Sequence, residues 1–387
     1  MGAARVWRPG CARLRLLAID IGTGAGQAGS PPRNLPTAAK AATIQRPPMG
    51  RQNKGAQLNG FLNVNKPPGL TSFQVITRLR PLLGTRKLGH SGVLDKPATG
   101  VLPIGVNRAT KLFSFFGDFR KVYFGSFLLG FSTSTDDIVG EIVAVGETKG
   151  LTEKDLRLAL KQFVGEIQQR PPQFSTTKVD GQEFYRLALK GEEVPHRVKR
   201  VTVEDIEVVA LAAGPEAAAL LAEHPKLAPQ PLTLTLPPLK LLIVRITCRG
   251  GFYVRSLARD LGEMVGTRGC VFSLVREQVG PFRVEDAHTL EEIAELAAQG
   301  RASEAIQPME AIAEPERSVA LDAPSIARLA QGMPVVVKAR YLPEESRRQG
   351  AQLFVTGPEG GLVAVVEVAP ALGDNLPLHP RRVLLQP

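Results

Sequence analysis

Twelve residues constrain this chain more than any others: Gly89-His90-Ser91-Gly92-Val93-Leu94-Asp95-Lys96-Pro97-Ala98-Thr99-Gly100. Three glycines and a proline exclude a helix there and demand a loop with special backbone angles. One histidine and one carboxylate lie inside it. A rigid loop that presents a lone Asp after the apolar step Val93-Leu94 is a seat for a working carboxylate. The same Asp can equally be a turn former bonded to its own backbone.

Composition narrows the chemistry. The 387 residues allow two or three compact domains, and 43% hydrophobic content supplies a core. Cys11, Cys248 and Cys270 lack paired spacing, which argues against a disulfide framework and a cysteine-ligated zinc. His90, His196, His224, His288 and His379 are scattered, so no metal site is expected, and no cofactor. The net charge of +11 invites a nucleic-acid reading. Nine Lys/Arg against the single acid Asp20 place +8 of it in residues 1–60, so local patches must carry any RNA binding in the body. No run of 18 apolar residues exists, and no membrane-spanning helix is expected.

Residues 1–58 read as a basic, poorly folded extension. Leu17–Gly24 has the look of a phosphate loop, but Ser30-Pro31-Pro32 follows and no second folded element does. The Arg-rich, acid-poor character fits an organelle transit peptide, or a start at Met49. The expected location is cytoplasmic, or an organelle if the extension is a transit peptide.

Order begins at Gly60. Phe61–Lys66 reads as a strand, and Thr71-Ser72-Phe73-Gln74 as a capping box opening a helix with Val75, Ile76, Leu79, Leu82 and Leu83 on one face. Arg78, Arg80, Arg86 and Lys87 lead from it into the 89–100 loop, where a phosphate contact is reasonable. Arg108–Phe116 looks helical. Lys121–Phe131 is apolar on both faces, the pattern of a central strand. Thr133–Asp137 is a polar turn, Thr152–Phe163 a capped helix, Gln169–Val179 irregular and Gln182–Lys190 a short helix. Strands follow at Val201–Leu211, Leu241–Cys248 and Val271–Val279, with an apparent insertion at 212–239 and a helix over Phe252–Val265. Thr289-Leu290-Glu291-Glu292 is another capping box. Residues 300–317 read as a linker. Strands at Pro334–Lys338, Gln352–Thr356, Leu362–Val368 and Arg382–Leu385 then suggest a small β domain over 318–387.

Five separated segments matter together. They are Asn65-Lys66-Pro67-Pro68-Gly69-Leu70-Thr71-Ser72, the Asp95 loop, Lys121-Val122-Tyr123, Gly251-Phe252-Tyr253-Val254-Arg255-Ser256-Leu257, and Leu274-Val275-Arg276 with Gly280-Pro281-Phe282. In this order they resemble the TruB family of tRNA pseudouridine synthases. Gln169–Gly181 looks like that family's Pro-Pro, Ser, Lys, Gly segment. The resemblance covers residues 59–285 closely and the C-terminal β domain loosely.

That resemblance implies an α+β pseudouridine-synthase fold with a curved mixed sheet over 59–300, and a PUA-like β domain at the end. It implies an isomerase that detaches uracil from the T-arm uridine at position 55 of tRNA and rejoins it through C5. Asp95 would be catalytic, as nucleophile or as base toward a glycal. Burial favours the neutral form of a carboxylate, so a cation beside it is needed, and Arg255 is the candidate. Tyr123 would stack on the uracil, Leu274 would line the base pocket, and His90 would fill the space left by the flipped base. Lys66 and Pro67 would buttress the loop. No second acid is evident, no obligate protein partner or membrane is expected, and the chain is expected to be a monomer. The alternative is a non-catalytic RNA-binding or RNA-folding module on the same scaffold. One departure stands out: the family usually has Pro directly after the Asp, whereas Lys96 intervenes here, leaving the Asp95 backbone less constrained.

Overall fold

The computed structural model describes residues 58–175, 178–179, 182–183, 198–227 and 239–384. Residues 1–57 of the N-terminal extension lie outside that set. β1 (Gly60–Lys66) leads to α1 (Ser72–Leu83), β2 (Leu88–His90) and, after the Asp95 loop, β3 (Thr99–Val106). A 3-10 helix, Asn107–Asp118, precedes β4 (Lys121–Leu129), the hairpin of β5 (Phe131–Thr133) and β6 (Ile142–Val145), α2 (Glu153–Leu160) and β7 (Gly165–Gln169). A minimal hairpin follows, β8 (Lys178–Val179) with β9 (Gln182–Glu183). Then come β10 (Lys199–Ala213), α3 (Pro215–Glu223), β11 (Lys240–Cys248), α4 (Val254–Met264), β12 (Gly269–Val279), β13 (Phe282–Arg283), α5 (Leu290–Ala298) and β14 (Ile306–Gln307). The C-terminal part holds β15 (Ser318–Ala320), α6 (Ala323–Ala330), β16 (Val335–Lys338), β17 (Gln352–Thr356), β18 (Leu362–Val368) and β19 (Asn375–Val383).

A ten-stranded mixed sheet runs β14-β1-β3-β12-β4-β11-β10-β7, with β2 joined to β3 and β13 to β12. β4 lies between β12 and β11, as its two apolar faces require, and Tyr123, Phe124, Phe127 and Leu128 are all buried. One parallel contact, β3 with β12, sets Thr99 against Val275 and Gly100 against Arg276. Gly100 has φ +100°, and a Cβ there would meet the Arg276 carbonyl oxygen at 2.3 Å, so only glycine fits. The site loop is thus anchored to the middle of the sheet.

The capping boxes are formed as the sequence predicts. Gln74 N–H donates to Thr71 Oγ1 at 3.1 Å and Thr71 N–H to Gln74 Oε1 at 2.9 Å, and the same reciprocal pair closes α5 at Thr289 and Glu292. Among the described residues no helix is long and apolar enough to cross a membrane.

Several expectations change. Gln182 and Glu183 pair with Val179 and Lys178 instead of opening a helix; residues 184–190 lie outside the described set. Residues 300–317 are not an open linker: β14 pairs with β1, and Ile312 is buried with Phe61, Phe116, Phe282 and Phe354. That aromatic core joins the large sheet to the five-stranded sheet β15-β17-β18-β19-β16. The last strand begins at Asn375, not Arg382; Pro377 and Pro380 conceal it in the sequence, and Pro380 sits where the β18–β19 register shifts. Within 212–239, β10 runs on to Ala213, α3 follows and Leu227 is fully buried; 228–238 lie outside the described residues.

Candidate active site

The Asp95 loop is held from both sides by neighbours that the sequence places far away. Ser72 Oγ, in the first turn of α1, accepts from Leu94 N–H at 3.0 Å and lies 3.3 Å from the Leu94 carbonyl. Ala98 N–H donates to the Asp95 carbonyl at 3.1 Å, closing a turn, and Gly69 N–H donates to the Lys96 carbonyl at 2.9 Å. These bonds fix the backbone at Asp95 although proline comes one position late, and the Lys96 side chain points to solvent.

Lys66 completes the brace. Its side chain is fully buried and its Nζ donates to the carbonyls of Pro67 at 2.9 Å, Leu70 at 2.8 Å and Lys96 at 3.2 Å. Three carbonyls match the three donors of an ammonium. Burial pulls its pKa from the ordinary 10.5 to about 8, against the pull of nearby Asp95, with Arg276 adding to the drop. Between these values the unfolded chain holds more protons, so this lysine's contribution to stability rises with pH. Activity is expected to move the other way. A neutral amine has two donors for three carbonyls and releases the loop beside Asp95. Turnover plotted against pH should fall with a midpoint near 8, and Lys66→Met should start low and lack that limb.

α4 delivers the cation. Arg255 sits in its first turn, and the helix start is tied to β7 by Gln169, whose side-chain amide bonds the Tyr253 backbone at 2.8 and 3.0 Å. One turn on, Arg259 pairs with Asp136 at 2.9 Å and donates to the Arg170 carbonyl at 2.8 Å, locking the helix against the 133–137 turn. Arg255 Nε donates to Asp95 Oδ2 at 2.8 Å and Nη2 to Oδ1 at 2.9 Å. Nη1 donates to the Thr135 carbonyl at 3.0 Å and Nη2 also to the Phe174 carbonyl at 2.9 Å. The guanidinium is 8% exposed and the carboxylate 36%, so the cation is buried and the anion faces open space.

That space is a cleft lined by Asp95, Pro97, Ala98, Asp137, Arg255, Val271 to Ser273 and Leu274. The cleft therefore joins three of the residues expected from the sequence: Asp95, Arg255 and Leu274. Tyr123 packs beside it in one apolar cluster with Leu94, Ala98 and Leu274. Burial raises the Tyr123 pKa, opposed by Arg276 next to it. His90 stands apart, half-buried on β2 outside the cleft lining. Its Nδ1 is buried without a hydrogen-bond partner among the described residues, and burial lowers its pKa with help from Arg276.

The roles of two residues escape sequence reasoning. Asp137 is a second acid in the cleft, where the sequence offers none clearly. Its Oδ1 accepts from Thr135 Oγ1 at 2.6 Å and Val139 N–H at 3.2 Å, while burial raises its pKa. The paired acids in a polar turn were its only signal. Arg276 is 1% exposed and has no carboxylate partner among the described residues. Its Nε donates to the Val101 carbonyl at 2.8 Å and Nη2 to the Gly92 carbonyl at 3.1 Å, so one guanidinium clips both ends of the Asp95 loop. Arg276→Lys cannot span both carbonyls with one ammonium. It is expected to lower kcat by roughly 100-fold with little change in KM, the scale of a small misplacement at a reacting centre. Single-turnover rates at saturating substrate measure this.

The described residues contain no group of three or more side chains suited to hold a metal ion. The arrangement offers instead an ionisable carboxylate gripped in a fork, facing an apolar wall.

Comparison with known proteins matches the chain to one family. Residues 80–222 match the family model described as TruB family pseudouridylate synthase (N terminal domain), and residues 255–314 that of the tRNA pseudouridylate synthase B C-terminal domain. Proteins named tRNA pseudouridine synthase B are similar along most of the chain. That of Ruegeria sp. (strain TM1040) is 39% identical, over 68% of this chain and 78% of its own. That of Arthrobacter sp. (strain FB24) is 35% identical, over 80% and 92%, and that of Ruegeria pomeroyi 34%, over 88% and 100%. Among solved structures, a Cbf5-Nop10-Gar1 complex aligns with TM-score 0.59 at 22% identity over 84% of this chain and 85% of that one. An H/ACA RNP bound to a substrate RNA containing 2'-deoxyuridine aligns with TM-score 0.58 at 20% identity, over 85% and 86%. These two share the fold.

Proposed function

The chain belongs to the TruB family of pseudouridylate synthases, and from that premise we propose that it isomerises uridine to pseudouridine in the T-arm of tRNA, at position 55. The observation that carries the reading is the Arg255 fork on Asp95 at the wall of a cleft with an apolar side.

The reaction breaks the bond from ribose C1′ to N1 and forms one from C1′ to C5. The C5 proton leaves and N1 gains a proton, so no oxidant or external group is consumed. Asp95 is the group that acts on the ribose. It either attacks C1′ or removes the 2′ proton, and both routes need a carboxylate oxygen at the sugar. Arg255 occupies one side of each oxygen and leaves the other lone pairs for the substrate. Ala98, Val271 and Leu274 supply an apolar wall for a uracil that has left its stack, with Tyr123 behind. An apolar wall limits water, which would otherwise capture the detached sugar. His90, on the sheet edge beside the loop, takes the position vacated by the base.

The test is a modification map of unmodified tRNA incubated with the purified chain. Pseudouridine at the one T-arm position supports the reading. Tight tRNA binding without any pseudouridine would leave an RNA-binding module in its place.

A further inference from the structure

The outer face of α1 carries an exposed aromatic ring. Val75, Ile76, Leu79 and Leu83 turn inward. Phe73 turns outward and is 63% exposed, a large ring on a polar face that folding does not use. Arg80, seven residues on and on the same face, holds its guanidinium 5.8 Å from the ring centre.

Phe73 lies one residue beyond Ser72, and Val93, 50% exposed, lies one residue before Leu94. Ser72 and Leu94 are the pair hydrogen-bonded to each other. The two exposed apolar side chains therefore flank the joint that fixes the Asp95 loop. They are carried on the rigid part of the site, not on a loose surface.

The charge around them has one sign. From Asn59 to Gly117 the sequence has eight Lys/Arg and a single acid, Asp95 itself. Asp95 is already engaged by Arg255. Arg78, Arg86, Lys87, Lys96 and Lys111 are exposed, and none pairs with a carboxylate among the described residues; nor does Arg80. Arg80 Nε is also buried with no hydrogen-bond partner there. Unpaired cations around an exposed ring suit a polyanion that also offers flat faces, which is single-stranded or looped RNA.

We propose that α1 is a nucleotide-stacking surface: a base of the substrate RNA other than the target uridine stacks on the free face of Phe73, and Arg78 and Arg80 bind the adjoining phosphates. This rests on the pseudouridine-synthase reading and adds to it a specific RNA-contacting surface beside the cleft. Arg80, lying against the other face of the ring, keeps it oriented.

The experiment uses the full chain with a T-arm stem–loop RNA. Binding is measured in an Asp95→Asn background and turnover in the parent. Phe73→Ala and Phe73→Leu should each raise Kd and KM by about tenfold, while kcat at saturating RNA changes by less than about twofold. Phe73→Trp should bind within about threefold of the parent, because a ring is kept. Arg78→Gln and Arg80→Gln should each reduce the slope of log Kd against log salt by about one. Phe73 is exposed, so melting curves of the Phe73 variants should coincide with that of the parent. Leu behaving like the parent would show plain apolar contact and overturn stacking. Ala and Leu both binding like the parent, while the parent makes pseudouridine, would overturn the surface and leave the enzyme reading intact. If the parent makes no pseudouridine but Phe73→Ala still weakens binding, the enzyme reading fails and the surface stands. A parent that does not bind the RNA overturns both.

Discussion

Asp95→Asn is expected to lower pseudouridine formation by at least about 10⁴-fold, because the asparagine amide neither attacks a sugar carbon nor accepts its proton. Affinity for tRNA should stay within a few fold, since the exposed cations near the loop lie on other residues. The amide keeps one oxygen for Arg255 and loses the second anchor of the fork. The stability cost should be modest, roughly 1–2 kcal/mol, because two backbone carbonyls still accept from Arg255. Single-turnover assays, tRNA binding and thermal melting on the same preparation separate these effects. Asp95→Glu makes a useful companion: it keeps the charge but pushes the carboxylate about one carbon–carbon bond too far, and roughly 100-fold should be lost by position alone.

Arg255→Met should be nearly as damaging to turnover and more damaging to the fold. Arg255 donates to both oxygens of Asp95 and to the Thr135 and Phe174 carbonyls, four bonds from one buried group. Removing it leaves those acceptors without that donor. A loss of about 3–5 kcal/mol is expected, the scale for removing one member of a buried charged pair. Arg255→Lys retains a charge but not the fork. It should lower kcat by roughly 100- to 1000-fold with a much smaller change in KM, since the fork orients the carboxylate and does not bind RNA. Equal losses in kcat and tRNA affinity would instead make Arg255 an RNA-contacting residue.

How much of this was legible in the sequence depended on the range of the interaction. Local rules read well. The Thr71–Gln74 and Thr289–Glu292 boxes mark helix starts because both partners lie within one turn. The two-faced apolar run of β4 placed it inside the sheet, where it pairs with β12 and β11. The meeting of Asp95 with Arg255, 160 residues away, was legible only through the order of several motifs, since no local rule joins positions so distant. Arg276 was invisible as a loop clip because its burial arises from the parallel pairing of β12 with β3. Asp137 read as an ordinary turn acid, and only the packing of β12 behind it makes it a wall of the cleft. α6 was hidden among short strands although Asp322 caps it. β14 is two residues long, too short for any periodicity to show.

The central claim is that the carboxylate of Asp95, gripped by Arg255, moves uracil from its N1 to its C5 linkage. Loss of the C5 proton reports that step and nothing else in the system. The decisive measurement is therefore tritium release from a T-arm stem–loop labelled at uracil C5, with the intact chain and with Asp95→Asn. The account predicts release of one label per RNA with the intact chain, matched by one pseudouridine, and none above background with the variant. Release at the same rate from both would contradict it.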